Sequence, residues 1–468
     1  MTSCTIPMMI AALLVASSAL AQKPDDPFPT PIPASEGVVR VNVTEFASIP
    51  DIESVPARMM LLVNEPGTRR LFVNDMRGPL YSVSYDGKAV TLYVDINAAN
   101  WGVPVQAMGR ERGFQSFAFH PQFGQPGTGG FGKFYTWLDT SNMTPAADFT
   151  HAGTTNTHDT VLLEWTAKTP GAATYDGAAP RELFRLRQPF ANHNAGQLAF
   201  NPNATQGSPD FGLLYVGVAD GGSGGDPMRM AQNLASAFGK IFRIDPLGRN
   251  SANKKYGIPA SNPFVARAGT LAEIYAYGVR NPQRLGWDSR NGNLFLADIG
   301  QNIVEEISLV TAGANLGWND WEGSFRFISR TEVGLTGQRG DAAVTYPVAE
   351  YGQLDPLLQG SSAVTGVVVY RGNQIPQLAN LLIFGDNPSG EIFYVSADKL
   401  PSGGQDAIRR ILLTRNGMSK TLLEFIQDKN AAQGRKPATR ADLRFGMGPD
   451  NQVFLLNKGD GVIRLLTR

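Results

Sequence analysis

At 468 residues the chain is long enough for two or three ordinary domains, although closed all-β architectures also use such lengths as one unit. Lys and Arg together number 41, as do Asp and Glu, so no net field draws the chain to nucleic acid or an anionic membrane. With 51 Gly, 31 Pro and no long helical periodicity, the composition favours many short strands joined by turns.

The N-terminus opens on an apolar run, Ile6 to Leu20, closed by Ala19-Leu-Ala-Gln22, a small-x-small site of the signal-peptidase kind. Residues 1–21 are therefore predicted to be a signal peptide cleaved near Ala21, although no basic residues precede the run. A short anchor helix is the plainer alternative, but the run is too short to span a bilayer. A Pro-rich linker, residues 22–37, follows it. The single cysteine, Cys4, would leave with the signal, and the mature chain would have no disulfide or thiol chemistry. A periplasmic or secreted location without stable membrane insertion is expected.

From residue 38 to 468 one pattern recurs: an apolar β-branched or aromatic run closed by small polar residues. Its copies are Leu71–Asp75, Lys133–Trp137, Leu214–Val218, Asn293–Asp298, Leu381–Asp386 and Gln452–Asn457. Four have a similar partner just before them, at Phe117–Pro121, Leu198–Pro202, Leu285–Asp288 and Phe445–Asp450, each ending in a turn as a hairpin requires. The copies lie roughly 60 to 90 residues apart, room for four strands and long loops. Such repetition predicts an all-β, six-bladed β-propeller of four-stranded antiparallel blades, with loops gathered round a central channel. A sandwich would not repeat one hairpin six times. Long inserts fall at 139–159, 323–362 and 401–440.

Four histidines punctuate this frame. His193, in Asn192-His-Asn-Ala-Gly-Gln-Leu198, directly precedes a partner strand and should face the channel, where a neutral imidazole can take a proton from a hydroxyl. A backbone-bonded turn residue is the alternative. His120 ends a strand, where other copies carry Asn201 or Asp288, and reads as structural; His151 and His158 carry no legible signal. The loop Asp220-Gly-Gly-Ser-Gly-Gly-Asp-Pro227 lets a backbone approach a ligand but lacks nucleotide-binding spacing. Further on, Arg280-Asn281-Pro282 sets a cation and an amide on a turn, with a salt bridge to Glu273 or Asp298 as the alternative. Asp298, Gln301, Glu305 and Glu306 then cluster hard oxygens about a Gly turn, which suits calcium better than zinc; a solvated acidic turn is the other reading.

In order along the chain, Gly113–Phe123, Asn192–Leu198, Ala219–Pro227, Gly239–Pro246, Gly278–Pro282, Asp298–Gln301 with Glu305–Ile307, Gly317-Trp318 and Val369–Gly372 resemble the motif set of the glucose/sorbosone dehydrogenase family. These soluble sugar dehydrogenases use pyrroloquinoline quinone (PQQ). The resemblance implies a propeller with PQQ over the channel mouth, held partly through calcium. His193 matches the family's general base, which takes the anomeric proton while hydride passes to the quinone. Arg280 and Asn281 match residues around the quinone, and Arg371 a further basic contact. Gly300 and Gln301 match the carbonyl pair that holds calcium, with Asp298 and Glu306 beside them.

The chain departs from the family pattern at Gly221, where those enzymes carry Gln, at Ser389, where an Arg is expected, and at Asn192, where Asp precedes the histidine. The leading expectation is oxidation of an aldose or related sugar, with an external electron acceptor. Two of the motifs also resemble the propeller of hedgehog-interacting proteins, so a non-redox propeller that binds carbohydrate or a protein partner is the alternative. Metal-dependent lactone hydrolysis ranks third.

Overall fold

The structure, a computed structural model, describes residues 26–152, 158–194 and 196–468. The expected signal peptide lies outside the described residues. No described helix is long and apolar enough to cross a membrane.

Strands pair antiparallel in successive groups. The first is Met59–Asn64, Arg70–Asp75, Pro79–Ser84 and Val90–Asp95; the second is Phe114–Phe119, Lys133–Thr140, Asp159–Thr166 and Arg181–Arg187. Next come Leu198–Phe200, Leu214–Val218, Lys240–Ile244 and Ile274–Tyr277, then Pro282–Trp287, Leu294–Asp298, Val304–Val310 and Ala349–Gly352. Val364–Tyr370, Leu381–Asp386, Ile392–Ser396 and Arg409–Arg415 follow. The C-terminal strands Arg444–Met447, Val453–Leu456 and Val462–Thr467 are completed by Val39–Ser48 from the other end of the chain. Every recurring segment of the sequence forms the second strand of a group, and its partner the first.

First strands of most successive groups lie side by side, that of the fourth lies against Leu214–Val218 of the third, and Arg444–Met447 meets Met59–Asn64 in parallel, Gly446 against Leu62. The groups thus close on themselves around an axis, an all-β arrangement consistent with a β-propeller. Apolar faces of neighbouring groups fill the space between them. Trp137, Phe184, Leu198, Val216 and Phe242 form one such layer, and the Trp137 indole N–H donates across it to the Gly217 carbonyl at 3.2 Å.

The inserts have structure of their own. Residues 321–334 form a small three-stranded sheet, Trp321–Glu322, Phe325–Ser329 and Glu332–Gly334. The last insert carries a helix, Leu422–Ala432, started by a capping box in which the Thr421 hydroxyl accepts from the Glu424 N–H and the Glu424 carboxylate from the Thr421 N–H. The described part of the Pro-rich segment is docked rather than a free linker. Phe28 stands edge-on to Phe325 at 5.4 Å, and the buried Ile32 donates its N–H to Asp355 at 2.7 Å.

A carboxylate recurs at the end of the second strand. Asp75 accepts the N–H of Arg58, Asp139 that of Gly113, Asp298 those of Arg280 and Asn281, and Asp386 that of Ala363. Each donor lies immediately before the first strand of the same group. The carboxylate therefore satisfies N–H groups that the ladder leaves over where the chain enters the ring, groups that burial would otherwise penalise. Asp139 also accepts from Thr160 Oγ1 at 2.6 Å, and Thr160 accepts from Gln188, which binds the carbonyl of Asn194. The loop holding His193 is thereby anchored to the preceding group.

Burial pushes the Asp139 carboxyl up to about 7. An unfolded chain would release that proton near ~3.9. Between those values the folded state holds an extra proton, so this group's contribution is fully present below pH ~4 and lost as pH rises through about 7. Asp139→Asn retains an acceptor for Gly113, and the Thr160 hydroxyl can reverse its bond. The variant should show a shallower fall in melting temperature from pH 4 to 7 than the parent; parallel profiles would assign the titration elsewhere.

Candidate active site

The third group departs from the carboxylate pattern. Asp220, fully buried, receives no N–H from the described residues at the entry to its own group's first strand. One oxygen instead takes His193 Nδ1 at 2.8 Å and the Gly222 N–H at 2.8 Å; the other takes the Trp318 indole N–H at 2.9 Å. Nδ1 must carry the proton in the bond to a carboxylate, which leaves the His193 Nε2 lone pair free to accept. It accepts from Arg280 Nη2 at 3.1 Å.

His193 is held firmly. Its backbone is in the left-handed region at φ 52°, its N–H donates to Glu111 at 2.9 Å, and only 5 % of its surface is exposed. A non-glycine residue is costly in that conformation and persists where neighbours impose it. The glycines after Asp220 serve this packing. A Cβ on Gly222, at φ 96°, would stand 2.4 Å from Asn192 Oδ1. On Gly221, at φ 88°, it would stand 2.6 Å from Pro189 Cγ, so the expected Gln has no room there.

Arg280 sits at the centre. Asp298 clamps its backbone, Nη1 donates to the Ile299 carbonyl at 2.8 Å, and the guanidinium lies over the Trp318 ring at 5.6 Å. Neither expected salt bridge carries it: Asp298 takes the Arg280 and Asn281 backbone N–H groups, and Glu273 takes the Tyr256 hydroxyl. The buried Nε has no partner among the described residues, so one N–H remains for a ligand.

Gly300 and Gln301 follow in the adjoining turn. Glu322, fully buried, gathers the N–H groups of Gln301, Asn302, Ile303 and Val304 on one oxygen at 2.9–3.1 Å. In a trans peptide the carbonyl points opposite to the N–H. The carbonyls of Gly300 and Gln301 therefore both point away from Glu322, a side-by-side pair of hard acceptors. Meanwhile the Gln301 side chain accepts from the Gly225 N–H at 2.6 Å, tying the turn to the glycine loop.

The expected carboxylate ligands are otherwise engaged. Both Asp298 oxygens are taken by the backbone, and Glu306 accepts from the Gly323 N–H at 2.7 Å. Among the described residues no group of three His, Cys, Asp or Glu is arranged to hold a metal ion. Asp298, Glu306 and Glu350 are register partners on adjacent strands. Burial raises the Asp298 carboxyl to about 6 and Glu306 well above its ordinary value, with the neighbouring Asp298 charge adding to the latter.

Arg371 does not join the site. It follows the first strand of its group, at the opposite end of the ring, where Asp288 binds it through two nitrogens at 2.8 and 2.6 Å and Asp398 at 2.6 Å. His120 lies at that far end too, packed edge-on to Phe200 at 5.3 Å, and burial lowers its pKa to about 4. Ser389 caps its own turn by donating to Asp386 at 2.6 Å. Asp220 and Trp318 are the partners that reading single residues missed, although both stood inside the quoted motifs.

A family model described as Glucose / Sorbosone dehydrogenase matches residues 55–419. HIPL1 protein from Arabidopsis thaliana is 32% identical over 309 residues, 59% of this chain and 43% of that one, so the chain spans less than half of its length. Aldose sugar dehydrogenase YliI from Escherichia coli is 28% identical over 244 residues, 51% of this chain and 58% of that one. The mouse Hedgehog-interacting protein is 25% identical over 324 residues, 68% of this chain and 39% of that one. The PQQ-bound structure of aldose sugar dehydrogenase from Streptomyces coelicolor superposes with a TM-score of 0.56 at 18% identity, covering 91% of this chain and 98% of that one. That likeness extends the all-β fold over nearly the whole chain. The chain belongs to the glucose/sorbosone dehydrogenase family.

Proposed function

We propose that this protein oxidises an aldose or related sugar at the anomeric hydroxyl, with PQQ as cofactor, a calcium ion in the adjoining turn and an external electron acceptor. The observation that carries this reading is the buried relay Asp220–His193–Arg280. His193 Nε2 would take the hydroxyl proton in place of its bond from Arg280. Asp220 fixes the tautomer and would stabilise the imidazolium that results, as a buried carboxylate does for a histidine base. Arg280, with its unpartnered Nε, would bind an anionic quinone, and Asn281 stands beside it. Bound PQQ would supply the hydride acceptor. The paired carbonyls of Gly300 and Gln301 would hold calcium; the carboxyls of Asp298 and Glu306, raised by burial and held by backbone N–H groups, would ionise more readily beside a bound cation. Arg371 has no part in this.

In the same proposal, the strand groups are six blades spanning residues 38–468, and the chain is exported to the periplasm or outside the cell after loss of residues 1–21. Support comes from the closure of the groups around the axis and from the recurring second strands. A second reading, a non-redox propeller that binds carbohydrate or a protein, draws on the similarity to the Hedgehog-interacting protein.

Dye reduction by purified apo-protein given PQQ, calcium and a panel of aldoses separates the two; no activity with any aldose favours the binding protein. His193→Ala should lower turnover by roughly 10²–10⁴-fold, the usual worth of a positioned base, with cofactor affinity little changed. Arg280→Ala should lower both rate and cofactor affinity, because its charge also acts in the ground state. His120→Ala should lose stability and keep its specific activity.

Chelation of calcium should lower the melting temperature or the activity, and added calcium should restore it. Indifference to both treatments removes the metal from this reading.

A further inference from the structure

A second set of cations meets on the axis, apart from the His193–Arg280 pair. Arg284 is in the first strand of the fourth group, yet its Nη2 donates to the Met60 carbonyl in the first group, on the other side of the ring. Leu62 pairs with Gly446 in parallel, so Met60 stands beside Arg444. The Arg444 Nη1 donates to the Leu443 carbonyl at 2.8 Å and to Thr365 Oγ1 at 3.3 Å. Lys458 follows the second strand of the same group and donates to the Arg110 carbonyl at 3.1 Å. All three ammonium or guanidinium groups therefore have carbonyl or hydroxyl partners, and among the described residues none has a carboxylate in hydrogen-bond contact.

Charge makes this arrangement unfavourable as it stands. Arg284 and Arg444 are 3 % and 6 % exposed, and the Nε of each has no partner among the described residues. A guanidinium cannot escape by losing its proton, and like charges buried together without a counter-charge are strongly disfavoured. Arg58 adds a further cation to the field of Lys458. Of the carboxylates that act on the cluster, Asp442 is shared with Arg440 at 3.1 Å and Glu111 accepts the His193 N–H. Burial lowers all three cations, most strongly Arg284 and Lys458, and Arg444 to about 10.

We propose that Arg284, Arg444 and Lys458 form a binding subsite for an oxyanion on the axis, beside the His193 site. Two idle Nε–H groups and a lysine ammonium suit a carboxylate or phosphate, which would supply the missing counter-charge. The oxyanion can be a carboxylate of the molecule bound at His193 or a free small anion. Glu111, which holds the His193 backbone and acts on Arg444, places the two sites next to each other. This subsite does not depend on the redox reading.

The test is titration of the full chain with inorganic phosphate, and separately with PQQ, by calorimetry and thermal shift, with ionic strength held constant by chloride. Phosphate should raise the melting temperature of the parent. Arg444→Gln should weaken phosphate binding by about ten- to a hundredfold, the worth of a charge-assisted contact. Removing one of several like charges should leave the variant's unliganded melting temperature at or above the parent's; Lys458→Gln, at a partly exposed position, provides a second variant. Competition between PQQ and phosphate would assign the subsite to the quinone's carboxylates. Phosphate binding without competition would assign it to a free oxyanion, even if PQQ does not bind at all. Absence of any response to either probe, or equal affinities in the parent and both variants, overturns the proposal.

Discussion

In four of the strand groups, the segment entering the ring brings backbone N–H groups that the ladder leaves over, and an aspartate at the end of that group's second strand takes them. Asp75, Asp139, Asp298 and Asp386 all do this. The arrangement fixes the first strands at the mouth and orients whatever residues sit just before them. In the third group the same position, Asp220, is released from that duty and holds His193 instead. One structural device, repeated around the ring, is thus diverted in the third group to orient an imidazole. Asp298 keeps the structural role and so fixes the backbone of Arg280, the residue that meets the imidazole.

Electrostatics divide the mouth. Around the turn after Asp298, the buried carboxyls of Asp298, Glu305, Glu306, Glu322 and Glu350 gather, and each is offset mainly by backbone N–H donors. Across the axis, Arg284, Arg444 and Lys458 gather with carbonyl partners. Arg280 lies toward the acidic side, where its charge favours ionised Asp298, Glu305 and Glu322. Such segregation is costly in low dielectric, because like charges reinforce one another's desolvation penalty. It has the form of a site built around charged ligands rather than of a core optimised for stability.

Much of the fold was legible because strand patterning is local. The recurring apolar runs were the second strands, and His193, Arg280 and Asn281 stood before first strands, hence at one end. The same rule places Arg371 and His120 at the other end, since both follow first strands. Family position suggested otherwise for Arg371, and its bidentate bond to Asp288 shows the physical outcome. The helix Leu422–Ala432 carried a readable signal in Thr421 and Glu424. By contrast, nothing in the Pro-rich stretch announced that Phe28 would find Phe325, a contact made across roughly 300 residues of sequence.

By itself the sequence determined the class of fold and the family, and it singled out His193 as a candidate, because strand periodicity, turn residues and motif order are written in consecutive positions. Only the tertiary structure decided which carboxylate holds His193, which oxygens of the acidic turn remain open, and which cations share the axis. Those depend on contacts such as Asp220 with Trp318 and Arg284 with Met60. Such pairs are separated by long stretches of chain, and their meeting is set by how the sheets close around the ring rather than by any local preference.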